Sequence, residues 1–278
     1  MKPEEVLERA DEAAAVLADE LGCRPTLAVV LGTGWDKLDD DYRTMREVEF
    51  ARVPGFGPVS APGHRGNVRL VETVGGQVLV QEGRMHCYEG YSSLEASFPV
   101  WALAALGVKS LVLLAAAGGL NPVYMPGDFM LVSDHISLFG DNPLKGVPQP
   151  DGCERFVCGA QFYPDSVQEA IEAALPPGAR VERGTYVHTT GPSFETNAEA
   201  GMLRLLGGDA VGMSITAETI VAGFLGMKAG ALCCVSNVLL PFKSAGESAD
   251  AVLSLVRDSV AGLGDFLGKL AASAGMIG

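Results

Sequence analysis

The stretch Val78-Leu79-Val80-Gln81-Glu82-Gly83-Arg84-Met85-His86-Cys87-Tyr88-Glu89-Gly90-Tyr91 decides how the chain reads. Its first four residues are apolar and β-branched enough to predict a buried strand. If the extended backbone continues past Gly83, a period of two puts Arg84, His86 and Tyr88 on one face. Arginine is a permanently charged fork of donors, histidine a donor of tunable charge, and tyrosine a ring with a polar tip. Together at the end of a strand they suit an oxyanion beside a flat or sugar-like group.

Working back toward the N-terminus, Gly75-Gly76 joins strands expected near 68–74 and 77–82 as a hairpin. Residues 53–67, with three prolines, four glycines and His64, form a loop. Thr26-Leu27-Ala28-Val29-Val30-Leu31 reads as a buried strand running into Gly32-Thr33-Gly34, a turn whose backbone N–H groups and hydroxyl could cradle an anion. A dinucleotide fingerprint would need glycine at position 37, which is Lys37, and no Gly-Lys-Ser/Thr follows for a Walker loop. Before this, Val6, Leu7, Ala10, Ala14, Leu17 and Leu21 recur at helical spacing over 3–21, with Pro3 at the start and Gly22 at the stop.

Working forward, residues 92–106 read as a helix capped at Ser92 or Ser93, kinked or restarted at Pro99 and ended by Gly107. Leu111–Leu114 is a central strand that leaves through the small residues Ala115-Ala116-Ala117-Gly118-Gly119-Leu120-Asn121. A strand near 129–134 precedes the long irregular segment 139–164, expected to be a lid, binding loop or subunit contact. Then follow a helix at 165–175, a strand at 180–188, Gly191-Pro192-Ser193-Phe194-Glu195-Thr196, and a helix at 196–206. After Val211-Gly212-Met213-Ser214 come a helix at 215–226 and the strand Ala231–Val235. Ser236-Asn237 ends that strand, and the last helix is expected over 247–270. Strands alternate with helices, so the fold class is α/β: one domain, 1–278, with a mixed central sheet flanked by helices on both faces.

Composition narrows the function. With 34 acidic against 20 basic residues the net charge is −14, a poor match to nucleic acid or a membrane surface. No Cys-x-x-Cys pair occurs among the six cysteines, so zinc spacing is absent and no metal is expected. Reduced thiols in a cytosol fit the composition better than disulfides. Glu4, Glu5, Glu8, Asp11 and Glu12 interrupt any apolar signal core at the start, and a cytoplasmic location is expected.

In open α/β folds ligands sit at the carboxyl ends of the strands, and Thr33, Arg84, His86, Glu195, Met213, Ser214 and Asn237 all fall there. Thr33, Arg84, His86 and Ser214, with His64, are donors suited to phosphate. Glu195 and Asn237 suit the edge of a planar heterocycle with adjacent donors and acceptors. Tyr88 and Met213 would flank something partly apolar, such as a pentose.

Read in order, these motifs resemble the trimeric family of purine nucleoside phosphorylases that act on inosine and guanosine. Arg84-x-His86-x-Tyr88-Glu89-Gly90-Tyr91 and Gly191-Pro192-Ser193-Phe194-Glu195-Thr196 are its specific stretches. Pro62-Gly63-His64, Ala116-Ala117-Gly118-Gly119-Leu120-Asn121, Gly212-Met213-Ser214 and Asn237 extend the match over about 30–240. The resemblance implies phosphate-dependent cleavage of 6-oxopurine nucleosides, with inorganic phosphate as co-substrate, no cofactor, and a homotrimer. It implies a phosphate site of Thr33, His64, Arg84, His86, Ser214 and the backbone at Ala116. Tyr88 and Met213 would touch the ribose. Glu195, Asn237 and Phe194 would hold the base, with Phe156 inserted from a neighbouring subunit, and His86, Asn237 and Glu195 would carry the catalysis.

The sequence departs from the family's pattern at Ala115, where asparagine is expected, and at Val238-Leu239-Leu240-Pro241-Phe242 after Asn237. The family's histidine for the ribose 5′-hydroxyl should fall at 248–250, where Ser248-Ala249-Asp250 stands and Ser248 or Asp250 is left to substitute. The competing readings are a purine-binding relative with lost turnover and a phosphorylase specific for methylthioadenosine or xanthosine. A dinucleotide-dependent oxidoreductase is disfavoured by Lys37.

Overall fold

The computed structural model describes residues 1–38, 40–137, 141–239 and 248–277. The strand expected at 26–31 forms as β1, Leu27–Leu31, parallel to β4, Gly76–Glu82, on one side and to β5, Ser110–Gly119, on the other. Covered on both faces, it reads as an unbroken apolar run. Ala28 and Val30 enter one core, while Leu27, Val29 and Leu31 enter the other. The hairpin partner of β4 is β3, Asn67–Thr73, joined through Gly76 at φ 133°. Outside β3 lies an antiparallel strand that the sequence pattern hides, β2, Arg43–Glu49. It is exposed along nearly its whole length, so no apolar alternation marks it.

The other half of the sheet comprises β6, Phe129–Ile136, β7, Val181–His188, β8, Ala210–Gly212, and β9, Lys228–Val238. Strand order is β2-β3-β4-β1-β5-β8-β7-β6-β9, and β9 also pairs with β5. The five strands β5, β8, β7, β6 and β9 therefore return on themselves as a closed ring. Three parallel and two antiparallel pairs make it up, so the sheet is mixed as expected.

Helices cover both faces. Helices α1, Val6–Leu21, α3, Phe98–Leu106, and α6, Thr216–Phe224, supply the larger core. The second core takes α4, Asp165–Ala174, α7, Ala249–Val260, and α8, Phe266–Ile277. Helix α5, Asn197–Leu205, closes a small third cluster through Ala200 and Leu203. The apolar stripe of α1 lies where its spacing predicts, and Gly22 ends it at φ 68° by donating its N–H to the Ala18 carbonyl at 3.0 Å. Truncating the fully buried Leu17 to alanine costs about 2–5 kcal/mol, because the sheet cannot collapse into the gap.

Two expected helices are broken. Pro99 cannot continue a hydrogen-bond ladder, so 92–106 divides into α2, Ser93–Ala96, capped by Ser92, and α3, with Pro99 in its first turn. The helix expected over 247–270 divides into α7 and α8, with Gly264 at φ 58° in the break; residue 247 lies outside the described residues. The exit expected after Leu114 is instead a continuation of β5 to Gly119. Of the irregular segment expected at 139–164, residues 139–140 lie outside the described residues and 141–158 carry neither helix nor strand. Among the described residues, no helix is long and apolar enough to cross a membrane.

Candidate active site

A cleft of about 460 Å³ opens at the carboxyl ends of β1, β4, β5 and β9, roofed by the segments after β7 and β8. Its lining brings together Thr33, Arg84, His86, Ala116 and Ser214 with Glu195, Asn237 and Phe194, and Tyr88 and Met213 lie among the lining residues too. His64 does not itself line the cleft but stands behind Thr33, with Nε2 3.5 Å from the Thr33 hydroxyl. Phe156 stands apart: it is 88% exposed and outside the lining of its own chain's cleft.

The cationic group is built on close approach. Gly32 donates its N–H to the Leu114 carbonyl at 3.0 Å, and a Cβ there would come within 2.6 Å of both that oxygen and Arg84. Arg84 lies in that space, almost fully buried. It donates to the Leu114 carbonyl at 2.9 Å, to the Ser214 hydroxyl at 3.5 Å and to Glu218 at 3.3 Å. Its remaining Nη2 has no partner among the described residues. A buried guanidinium nitrogen without an acceptor is costly, and an anion in the cleft would satisfy it. Glu218 comes from α6, where its other oxygen accepts the Ile215 N–H at 3.1 Å. Ile215 holds φ 65°, a strained value for a β-branched residue, in the turn that presents Ser214.

The extended backbone expected beyond Gly83 stops sooner. Residues Cys87–Glu89 form a 3₁₀ turn, so Tyr88 reaches the cleft from a turn rather than from a strand face. Its ring stacks on His86 at 4.6 Å, and His86 stacks on His64 at 5.3 Å. Glu89 organises this stack. One carboxylate oxygen accepts the His86 N–H at 2.9 Å and lies 3.0 Å from His86 Nδ1; the other accepts the Ser60 N–H and hydroxyl, both at 2.6 Å. Burial alone would raise its pKa, but these donors hold it down at about 2. With Nδ1 committed to Glu89, Nε2 is the His86 nitrogen left for a ligand.

Burial holds His86 below the ordinary histidine range despite Glu89, and burial with the nearby His86 and Arg84 pulls His64 down to about 3. Both rings are therefore neutral at pH 7. Burial, with the Glu89 charge, raises the Tyr88 hydroxyl to about 12. Among the described lining residues, the cleft thus offers an anion one formal cation, Arg84, and a set of neutral donors.

An ionic network stands behind these groups. Arg65 donates to Glu82 at 2.7 Å, to Asp40 at 2.6 Å and to the Asp36 carbonyl at 3.0 Å. Arg69 donates to the same Glu82 oxygen at 3.1 Å, and Arg257 of α7 grips both Asp36 oxygens at 3.0 and 2.6 Å. Thr33, His64 and Arg84 each lie within three residues of a member of this network.

The placing of Asn237 depends on a bulge. Ala117 pairs with Val235 and Gly118 with Asn237, so Ser236 is the extra residue and the strand turns Asn237 toward the cleft. Ser236 donates its hydroxyl to Asn237 Oδ1 at 2.9 Å and to the Ala117 carbonyl at 3.3 Å, orienting the amide. Glu195 accepts the Thr189 hydroxyl at 2.9 Å. Between them Glu195 and Asn237 bring an amide donor, an amide acceptor and a carboxylate to the lining of the cleft. Ala115, where asparagine was expected, offers only its carbonyl, which accepts Trp35 Nε1 at 2.9 Å. Neither Ser248 nor Asp250 takes the place expected of them. The Ser248 hydroxyl caps α7 by accepting the Ala251 N–H at 3.2 Å, and both residues are exposed outside the lining, where Ala249 stands instead. Of the unusual run after Asn237, residues 240–242 lie outside the described residues.

Sequence reasoning quoted Glu89 without its role, although its spacing of three from His86 is that of a capping box. It missed Glu218 and Tyr186, whose hydroxyl accepts the Ser214 N–H at 3.1 Å, because their helix and strand carry no local mark of the cleft.

Known proteins resemble the chain along most of its length. A family profile described as Phosphorylase superfamily matches residues 26–269. Purine nucleoside phosphorylase 1 of Geobacillus stearothermophilus is 38% identical over 82% of this chain and 84% of its own length. Purine nucleoside phosphorylase 1 of Bacillus subtilis is 35% identical over 92% and 94%, and purine nucleoside phosphorylase of Bos taurus 34% identical over 90% and 89%. With a cleft of this architecture and likeness along nearly its whole length, the chain belongs to the phosphorylase superfamily.

Proposed function

We propose that the chain is a purine nucleoside phosphorylase, cleaving 6-oxopurine ribo- and deoxyribonucleosides with inorganic phosphate. The observation that carries this reading is a single cleft whose lining holds both an anion-seeking cluster around Arg84 and the polar groups Glu195 and Asn237. Phosphate binds to Arg84, His86, Thr33, Ser214 and the backbone at Ala116, whose edge is open because pairing with β1 ends at Leu114. His64 closes on it from behind Thr33. Tyr88 and Met213 hold the ribose, Glu195 accepts from the purine N1–H, Asn237 bonds O6 and N7, and Phe194 lines the base pocket.

The purine leaves C1′ with the electrons of the broken C1′–N9 bond, and the sugar gains oxocarbenium character. Asn237 stabilises the charge and the proton arriving at N7. A phosphate oxygen, held under the sugar, forms the new bond to C1′ with inversion. No protein nucleophile is needed; catalysis comes from positioning and preorganised dipoles. The exposed Phe156 completes the base pocket of a neighbouring subunit in a homotrimer. All six cysteines are unpaired, which suits a reducing cytosol.

The test is purine release from inosine, guanosine, adenosine, xanthosine and methylthioadenosine, with and without phosphate. Phosphate-dependent release from inosine and guanosine, with adenosine inert, is expected. Release that ignores phosphate makes the protein a hydrolase. Hypoxanthine binding without any release makes it a binding relative.

A further inference from the structure

Glu195 is carried on a stretch of chain without regular structure. Residues 189–196 run from β7 to α5 with neither helix nor strand. Both ends of the stretch are pinned. Thr189 donates its N–H to the Gly212 carbonyl of β8 at 2.9 Å, and Thr196 caps α5 by accepting the Glu199 N–H at 3.2 Å. Between the pins, Pro192, Ser193 and Phe194 are exposed. A Cβ on Gly191 would overlap the sulfur of Met213, so the stretch lies against that lining residue.

Glu195 itself is half-buried. Among the described residues its carboxylate has one hydrogen-bond partner, the Thr189 hydroxyl at 2.9 Å. That bond spans six residues of irregular chain and ties the acid to the end of the sheet. Glutamate is among the side chains with most rotamer freedom to lose on ordering. The Thr189 hydroxyl restrains it before any ligand arrives. Thr189 lies outside the cleft lining, so its hydroxyl acts on the acid from behind.

An ionised carboxylate has about four lone-pair sites on its two oxygens. Thr189 occupies one site on Oε1, which leaves Oε1 able to accept once more and Oε2 free. What the bond fixes is the rotation of the carboxylate plane. A base with a single donor on this edge tolerates such rotation. A base with two parallel donors does not, because both bonds must align at once. Hypoxanthine presents N1–H alone. A 6-oxopurine with a 2-amino group presents N1–H and an amino N–H side by side.

Resting on the phosphorylase reading above, we propose that Thr189 is a positioning residue for base recognition: it holds the Glu195 carboxylate in the rotation that accepts two parallel donors, and so favours guanosine over inosine. Thr189 acts through Glu195 and touches no substrate. The bond-breaking step is the same for both nucleosides.

The experiment measures kcat/KM for guanosine and inosine at saturating phosphate in the wild-type protein, Thr189→Val and Thr189→Ser. Valine keeps the shape and removes the hydroxyl; serine keeps the hydroxyl. In Thr189→Val the guanosine-to-inosine ratio is expected to fall about tenfold, the worth of one hydrogen bond to a charged group. The loss should lie in the nucleoside KM, with the phosphate KM held within about twofold. Thr189→Ser should keep the ratio within about threefold of wild type. Calorimetric binding of free guanine and hypoxanthine to the same variants should give the same ordering without turnover. Equal losses for the two nucleosides in Thr189→Val, or none, would overturn the role given to Thr189 and leave the phosphorylase reading intact. So would a Thr189→Ser variant that behaves like Thr189→Val, since the hydroxyl would then be idle. If the wild-type protein releases purine from neither nucleoside with phosphate present, the phosphorylase reading falls and this inference falls with it.

Discussion

Replacing Asn237 with alanine separates binding from chemistry. The side chain is half-buried at the bulge of β9, and its amide is oriented by the Ser236 hydroxyl at 2.9 Å. Truncation removes one acceptor, but Ser236 still donates to the Ala117 carbonyl at 3.3 Å, so no polar group is orphaned. The stability cost is therefore about 1 kcal/mol or less, the net value of one hydrogen bond. The catalytic cost is larger, because the amide meets charge that develops only as the purine departs. Removing one such preorganised donor is worth about 3–4 kcal/mol, a loss of roughly 10²–10³ in kcat. The KM for phosphate should stay within about twofold, since interactions common to ground and transition state are untouched. Initial rates of purine release from inosine, at varied inosine and varied phosphate, read both quantities. A variant with weakened phosphate binding and an unimpaired chemical step would refute the placement of Asn237 at the leaving group. Ser236→Ala should lower kcat by a smaller factor, because it leaves the amide in place and unsteered.

Arg84→Met strands Glu218 in the core, and chemical denaturation should show a loss of about 3–5 kcal/mol, much of it recovered by adding Glu218→Gln. Arg65→Met cuts the link from the His64 loop to Glu82 and Asp36; at about 1 kcal/mol lost, the phosphate KM should rise about fivefold while the nucleoside KM holds. All four histidines have folded-state pKa values pulled below the ordinary value by burial. The unfolded chain binds their protons first, so their stabilising contribution is complete above pH 6.5 and lost as pH falls toward the folded values, about 3 for His64. Urea midpoints at pH 7.5 and pH 5 should show this fall, with proton uptake on unfolding that His64→Asn reduces.

The α/β class was legible because β1, β4 and β5 are covered on both faces and must be apolar throughout. The cleft was legible because its side chains follow strand ends, where glycines and polar residues interrupt apolar runs. What escaped lacks such contrast. Strand β2 is held by its backbone pairing to β3 while its side chains other than Val48 face water, so no alternation in its sequence records it. Glu218 and Tyr186 hold Arg84 and Ser214 from inside a helix and a strand, where ordinary core periodicity hides them. The break between α7 and α8 turns on Gly264, one glycine among 35. Ser248 reads in the sequence as a polar group open to a substrate, but the same hydroxyl also serves as the cap of α7, and the sequence does not separate the two roles.

The closed ring of β5, β8, β7, β6 and β9 has a consequence for behaviour at high concentration. A strand at the margin of a sheet displays unpaired backbone groups and can recruit a strand from another molecule. Because β9 turns back to pair with β5, that half of the sheet has no margin, and among the described strands only β2 is left outermost. That strand carries Arg43, Arg46, Glu47 and Glu49 in seven residues, a row of charge that an incoming strand would have to desolvate. The polar sequence that concealed β2 from a reading of apolar patterns is thus what keeps the sheet from growing across molecules.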